Sequence, residues 1–174
     1  IKKIYVRYDE VALKRGSRAH FEKKLKKNIA RLAGLSNGQV KRIRGRCVVD
    51  IPDDVDGQEC LKRISRCFGI AKLSPVTVTQ TGLQTILQTA VELAAQQFAL
   101  GAKTFKVEAR RSYKKFPLKS PEINVEAGAV ILEKVPGLTV DVHKPDFVVR
   151  IEVFAQQSYL YCREISGPGG LPTG

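Results

Sequence analysis

The residues best suited to chemistry lie in one short run, Arg110-Arg111-Ser112-Tyr113-Lys114-Lys115-Phe116-Pro117-Leu118-Lys119, which sets five cations and two aromatics in ten residues with no acid among them. The chemistry such a run offers is the gripping of a polyanion. Arg110, Arg111, Lys114, Lys115 and Lys119 can neutralise backbone phosphates, and Tyr113 or Phe116 can stack on an unpaired base. The same residues would also serve as a solvated basic loop, and composition alone leaves the two readings level. A second cationic cluster, Lys14, Arg15 and Arg18, leads into Lys23, Lys24, Lys26 and Lys27. We read it as an approach surface for RNA or DNA, because a face meant only for solubility would mix its signs.

No pattern in the chain promises bond-making chemistry. Ser-His-Asp and Cys-His arrangements are missing, and the adjacent acids Asp9-Glu10 and Asp53-Asp54 would point to different faces of their elements. His20 and His143 lie far apart without ligand-like neighbours, so no metal is expected. The cysteines Cys47, Cys60, Cys67 and Cys162 form no C-x-x-C pair and fall on apolar stripes or strands, which reads as buried thiols in a reducing compartment. Gly169 and Gly174 have the first spacing of a G-x-x-x-x-G-K-[ST] phosphate loop, but the tail Gly167 to Gly174 contains two prolines, Pro168 and Pro172, and follows a polar hairpin, so a linker is the preferred reading.

The elements that must position the two cationic clusters can be read from periodicity. Ile4, Val6 and Tyr8 alternate with Lys3, Tyr5 and Arg7 in a half-buried strand over Lys2 to Tyr8. Gly16 and Ser17 offer a helix start, with Phe21, Leu25, Ile29 and Leu32 as its inner stripe and Gly34 as its stop. Val40 to Arg44 and Cys47 to Ile51 read as strands around Gly45. Asp56 then caps a helix whose inner face is Cys60, Leu61, Ile64, Cys67 and Phe68, ended by Gly69. With a fourth strand from Ile70 to Thr79, the order is βαββαβ, the ferredoxin-like arrangement.

The second half begins with the capping box Thr81-x-x-Gln84 and a helix carrying Leu83, Ile86, Leu87, Ala90, Val91, Ala94 and Phe98, ending near Gly101. A strand with Phe105, Val107 and Ala109 on one face leads into the cationic run. Ser120 is the expected N-cap of the next helix, with Pro121 at its first position and free amides there to favour an anion. Phe147 to Phe154 and Ser158 to Arg163 form a hairpin, and the Gly- and Pro-rich tail closes the chain.

Composition bounds the rest. Thirty Lys and Arg against 17 Asp and Glu leave a formal charge of +13 on 174 residues, and residues 1–75 carry 19 basic and 8 acidic side chains of that total. A nucleic-acid partner is therefore expected. No segment approaches the roughly 20 apolar residues of a membrane helix, so no membrane partner is expected. A chain that begins at Ile1 and contains no Met reads as an excised piece of something longer.

The run Tyr8-Asp9-Glu10-Val11-Ala12-Leu13-Lys14-Arg15-Gly16-Ser17-Arg18-Ala19-His20-Phe21-Glu22-Lys23-Lys24-Leu25 resembles the N-terminal signature of the tRNA 4-thiouridine synthetases, also called tRNA sulfurtransferases. Further matches follow in order: Phe68-Gly69-Ile70 before Ser74-Pro75-Val76, Thr104-Phe105-Lys106-Val107 with Arg110-Arg111, and Gly169-Gly170-Leu171-Pro172. Asp9 stands where that family often has Gly, and Thr173 where Val is usual. The resemblance implies an α+β chain with a ferredoxin-like domain over residues 1–75 and an α/β THUMP domain over 76–165. Residues 166–174 would then be a linker to a PP-loop catalytic domain that this sequence lacks.

For the whole enzyme the resemblance implies ATP-dependent sulfur transfer to uridine 8 of tRNA. The ATP and magnesium, the persulfide cysteine and the docking of a cysteine desulfurase would belong to the missing domain, and some relatives also serve thiamine synthesis. The full-length protein could be a homodimer. The part present is expected to hold no cofactor, to be inactive alone, to lie in the cytoplasm, and to bind the tRNA acceptor end with its single-stranded 3′ terminus. The matching positions are Lys14, Arg18, Arg110 and Arg111. The competing readings are the THUMP module of an RNA methyltransferase or pseudouridine synthase and, behind it, a free-standing RNA-binding adaptor.

Overall fold

The computed structural model of the chain describes residues 1–9, 18–43 and 45–172. In chain order the elements are β1 (Lys3–Tyr8), α1 (Arg18–Ala33), β2 (Val40–Ile43), β3 (Arg46–Asp50), α2 (Gly57–Ile64), β4 (Ile70–Pro75), β5 (Thr77–Gln80), α3 (Leu83–Ala99), β6 (Thr104–Arg111), α4 (Ser120–Lys134), β7 (Thr139–Val140), β8 (Phe147–Val153), β9 (Gln157–Tyr161) and β10 (Ile165–Ser166). They divide into two compact units, Ile1–Val76 with Glu164–Gly174, and Thr77–Arg163. Among the described residues no helix is long and apolar enough to cross a membrane.

The first unit is an antiparallel sheet in the order β10-β4-β1-β3-β2. Apart from β10, its strands have the ferredoxin-like order β4-β1-β3-β2 expected of βαββαβ. Alternation along β1 sends Ile4, Val6 and Tyr8 into a core shared with Phe21, Leu25 and Ile29 of α1 and Cys60, Leu61 and Ile64 of α2. Each large aliphatic side chain fully buried there stabilises the unit by about 1.5–3 kcal/mol. Asp56 caps α2 as expected, accepting from the amides of Gln58 at 3.0 Å and Glu59 at 3.3 Å. Phe68 does not join that helix's inner face. It lies beyond the end of α2 and is 52% exposed.

The expected fourth strand, Ile70 to Thr79, is divided between the two sheets. β1 begins at Lys3, and its last contact is the Val76 amide on the Lys3 carbonyl at 3.1 Å. With no β1 backbone left to pair, the chain continues as β5 against β9, Thr77 opposite Leu160.

The tail, expected to be a linker, returns to the first sheet. Ile165 and Ser166 pair with Leu73 and Lys72 of β4. Beyond them the amides of Gly167 and Gly169 donate to the carbonyls of Ala71 and Ile70, and the Gly69 amide donates to the Gly169 carbonyl. Glu164 adds ion pairs to Arg7 at 3.2 Å and Lys72 at 3.5 Å. A two-residue strand is too short for periodicity to reveal, and its glycines fit a close approach of backbones as well as they fit a flexible connector.

The second unit has the sheet order β5-β9-β8-β6-β7, with β6 parallel to both β7 and β8 and the rest antiparallel. α3 is one continuous helix, and its Ile86, Ala90 and Ala94 pack with Ile123, Ala127 and Ile131 of α4 over Phe105, Val149 and Ile151. Thr81 does not make the expected capping box, and the N-cap is Gly82. The Thr81 hydroxyl instead donates to the Phe154 carbonyl at 2.7 Å and lies 2.8 Å from the Ser158 hydroxyl, tying the helix entry to the β8–β9 hairpin.

A Cβ at Gly167 would run into the Ile70 carbonyl. Gly167→Ala should therefore lower the stability of the first unit by about 1–3 kcal/mol, read by urea unfolding. An unchanged midpoint would return the tail to a loose connector. Burial raises all four thiols, Cys47 and Cys67 to about 11 and Cys162 to about 12, with Cys60 moved in the same direction. At pH 8 the native protein should thus react slowly with an aromatic disulfide reagent and titrate all four thiols only after denaturation. Rapid labelling of any one of them in the native protein would contradict this burial.

Candidate nucleic-acid interface

β6 has β8 on one side along its full length, whereas on the other side β7 reaches only Thr104 and Phe105. The amides of Ala109 and Arg111 on that open edge are satisfied by side chains of α4. The Ala109 amide donates to Asn124 Oδ1 at 2.7 Å and the Arg111 amide to Ser120 Oγ at 3.1 Å. Ser120 is thus the first residue of the helix rather than its cap, because its hydroxyl is committed to the strand. Glu122 accepts from the Lys119 amide at 3.0 Å. The helix start therefore carries its own carboxylate, which opposes the anion expected at its amides.

The cationic run is the connection between these two anchored elements. Alternation along β6 puts Phe105, Val107 and Ala109 on the side packed against the helices. Arg111 follows in the same phase and Arg110 in the opposite one, so the two guanidinium groups leave the strand on opposite faces. Arg110 is exposed, and although its register partner is Glu152, the Glu152 carboxylate accepts from the Tyr161 hydroxyl at 2.6 Å. The nearby acid Glu108 is held below its ordinary pKa first by Lys106, at 2.7 Å, and also by Arg150. Among the described residues Arg110 makes no ion pair.

Arg111 is half-buried, and its Nη1 donates to the carbonyls of Lys114 at 3.2 Å and Phe116 at 2.9 Å. Phe116 is only 5% exposed and belongs to the apolar core, which removes it from the base-stacking role expected of it. Its ring is the largest apolar group in a short loop and gains more by burial than by exposure. Tyr113 is half-buried against the same core, its amide directed at the Val153 carbonyl at 3.3 Å. Lys114, Lys115 and Lys119 are exposed and make no ion pair among the described residues.

The second predicted cluster is described in part. Lys14 and Arg15 lie outside the described residues. Arg18 begins α1 and pairs with Glu22, one turn on, at 3.2 Å. Glu22 is buried and also accepts from the Tyr8 hydroxyl at 3.2 Å, while that hydroxyl lies 3.0 Å from Cys47 Sγ. Burial first, then Cys47 and Glu22, push the Tyr8 hydroxyl well above the usual tyrosine range, so it stays protonated and donates. Of the acids in this unit, Asp50 is met by Lys3 and Lys41, Glu59 by Arg63, and Glu164 by Arg7 and Lys72. Lys23 and Lys27 are exposed on α1 with no such partner among the described residues.

Sequence reasoning missed Asn124 and Ser120 as the anchors of the loop, and Glu22 as the partner that orients Arg18. One signal was present: an Asn inside a helix is a weak helix former and is often kept there for a hydrogen bond.

A ferredoxin-like sheet, followed by a mixed sheet with two helices and an anchored cationic loop, defines a two-module chain of known type. Residues 3–74 match the ThiI ferredoxin-like domain and residues 80–163 match the THUMP domain. The chain thus carries a ThiI ferredoxin-like domain followed by a THUMP domain, and over these two domains it is similar to the tRNA sulfurtransferases. It is 43% identical to a curated protein of Moorella thermoacetica named "Probable tRNA sulfurtransferase", over 98% of this chain and 43% of that protein. One from Macrococcus caseolyticus, of the same name, is 42% identical over 98% of this chain and 42% of its own length. The crystal structure of a 4-thiouridine synthetase–RNA complex with bound ATP superposes with a TM-score of 0.85 at 32% identity, covering all of this chain and 44% of that one. The chain thus spans less than half the length of these relatives.

Replacing Phe116 by Ala should destabilise the second unit by about 3–4 kcal/mol, a value typical of a fully buried Phe with partial relaxation. Thermal unfolding of the variant checks this, and a change within 1 kcal/mol would mean the ring is not held in the core.

Proposed function

We propose that this chain binds the acceptor end of tRNA and presents it for sulfur transfer carried out by a longer protein of the tRNA sulfurtransferase family. The observation that carries the reading is the set of cations, Arg110, Lys114, Lys115 and Lys119, that make no ion pair among the described residues and stand at one end of β6 on a loop anchored to a strand and a helix. Phosphates of a nucleic acid end can be met there by charges whose backbone is already ordered, which lowers the entropic cost of binding. Tyr113 is the remaining aromatic of the loop, half-exposed at its edge, for an unpaired base. Lys23 and Lys27 on α1 supply longer-range attraction of the kind that weakens as salt rises. The 4-thiouridine synthetase solved with RNA supports this choice of partner.

The sulfur-transfer step is assigned to residues other than those described. A persulfide-carrying cysteine must be an accessible thiolate, and Cys47, Cys60 and Cys67 are buried while Cys162 is raised to about 12. Nor does the glycine run of the tail fit the phosphates of ATP. The Gly169 and Gly170 amides, where a phosphate loop would be sought, donate to the Ile70 carbonyl and to the Asp9 carboxylate at 2.8 Å. On this reading ATP with magnesium and a cysteine desulfurase serve other parts of the longer protein, and the work is done in the cytoplasm where tRNA is modified.

The test is a binding titration by fluorescence anisotropy. A mini-helix with an unpaired 3′ end should bind more tightly than a blunt duplex of equal length, and both affinities should fall with salt. Equal affinity for the two would sink acceptor-end recognition.

A further inference from the structure

The pairing of Arg110 with Arg111 suggests two equivalent phosphate ligands, yet the structure sets them to different tasks. We infer that Arg111 is a positioning residue that holds the 112–119 loop in its RNA-competent shape, and that Arg110 is the one of the two that meets phosphate. The inference rests on the RNA-binding reading and deepens it.

Three constraints fix the loop. The amides of Ser112 and Tyr113 both reach the Val153 carbonyl, at 3.0 and 3.3 Å, which turns the chain off the end of β6. The Phe116 ring is sunk in the core. Between these points the Arg111 Nη1 holds two carbonyls, those of Lys114 and Phe116, while its own amide is held by Ser120 Oγ. A charged donor on neutral carbonyls makes a stronger bond than an amide does. These bonds span the very residues that display Lys114 and Lys115. Without the brace, the stretch from Lys114 to Pro117 keeps, among the described residues, the Phe116 anchor and the Phe116 amide on the Tyr113 carbonyl at 3.2 Å. The lysines would then have to be ordered by the RNA itself, at a cost in affinity.

Arg110 offers the complementary case. It leaves β6 on the other face, is exposed, and makes no ion pair among the described residues. Its loss removes a charge available to phosphate and leaves the loop's shape alone.

Two readouts on the whole chain separate these roles. The first is tryptic cleavage after Lys114 and Lys115 in the protein without RNA, which reports local opening of the loop. Arg111→Ala should raise that rate at least roughly tenfold, the least expected when even one charge-assisted bond is lost, whereas Arg110→Ala should leave it unchanged. Arg111→Lys keeps the charge but ends short of the Nη1 position, so it should also raise the rate. The second readout is the salt dependence of mini-helix affinity. Arg110→Ala should flatten the log-log slope by roughly 0.7 to 0.9, while Arg111→Lys should weaken binding roughly three- to tenfold with the wild-type slope. Far-ultraviolet circular dichroism of each variant confirms that the second unit is folded.

The inference is overturned if Arg111→Ala leaves the cleavage rate unchanged, or if Arg111→Lys binds as the wild type does while Arg111→Ala flattens the slope as Arg110→Ala does. In that case charge alone matters, and Arg111 is a phosphate ligand. A raised cleavage rate with mini-helix affinity unchanged in every variant would instead overturn the RNA reading of this loop, and with it the role in binding assigned to Arg111.

Discussion

The candidate interface depends on one contact, the burial of Phe116 in the core of the second unit. A loop of cations repels itself and would spread in solvent, losing any defined geometry toward a ligand. An apolar ring planted in its middle converts that loop into two short spans, each tied at a strand or a helix. The energy comes from removing aromatic surface from water, a term that salt does not weaken, and it holds in place charges whose own interactions salt does weaken. The structure thus separates the group that positions the interface from the groups that face its ligand.

The same separation governs the distribution of charge. Several acids of the first unit are engaged with cations on the sheet and helices: Asp50 with Lys3 and Lys41, Glu164 with Arg7 and Lys72, Glu22 with Arg18. Burial alone would raise the Asp50 carboxyl, but the two lysines outweigh it and hold it below the ordinary range. Exposed pairs of this kind contribute little to stability individually. They cancel part of the positive charge locally, while exposed cations such as Lys23 and Lys27 on α1 and Arg110 at the end of β6 make no ion pair among the described residues. The net charge of +13 is therefore an incomplete guide to where unpaired positive charge lies on the surface.

The chain's course adds a constraint of its own. β4 and β5 follow one another through Val76 yet belong to different sheets, and the tail from Glu164 returns to the first sheet after the second unit is complete. The first unit is thus closed only by residues more than 85 positions after its fourth strand. Its folding must join segments distant in sequence, at a cost in loop-closure entropy that the intervening unit reduces by folding on its own.

The sequence by itself determined the elements whose signals are local and repeated. Period-two alternation marked β1 and β6, helical spacing marked α1 and α3, and Asp56 marked the start of α2, because backbone geometry imposes those periods on any chain that must bury one face. The cationic run between β6 and α4 was legible for the same reason, as composition between two periodic segments. What the tertiary structure alone decided were matters of competition for a partner: whether Ser120 capped a helix or a strand, whether Phe116 faced a base or the core, whether Arg111 met a phosphate or a carbonyl. It also decided whether Gly167 to Gly170 formed a connector or lay against β4. Each of those residues is chemically able to do either, and the outcome was set by which unpaired amide, carbonyl or apolar gap the fold brought within reach, which is a property of distance in space rather than of spacing along the chain.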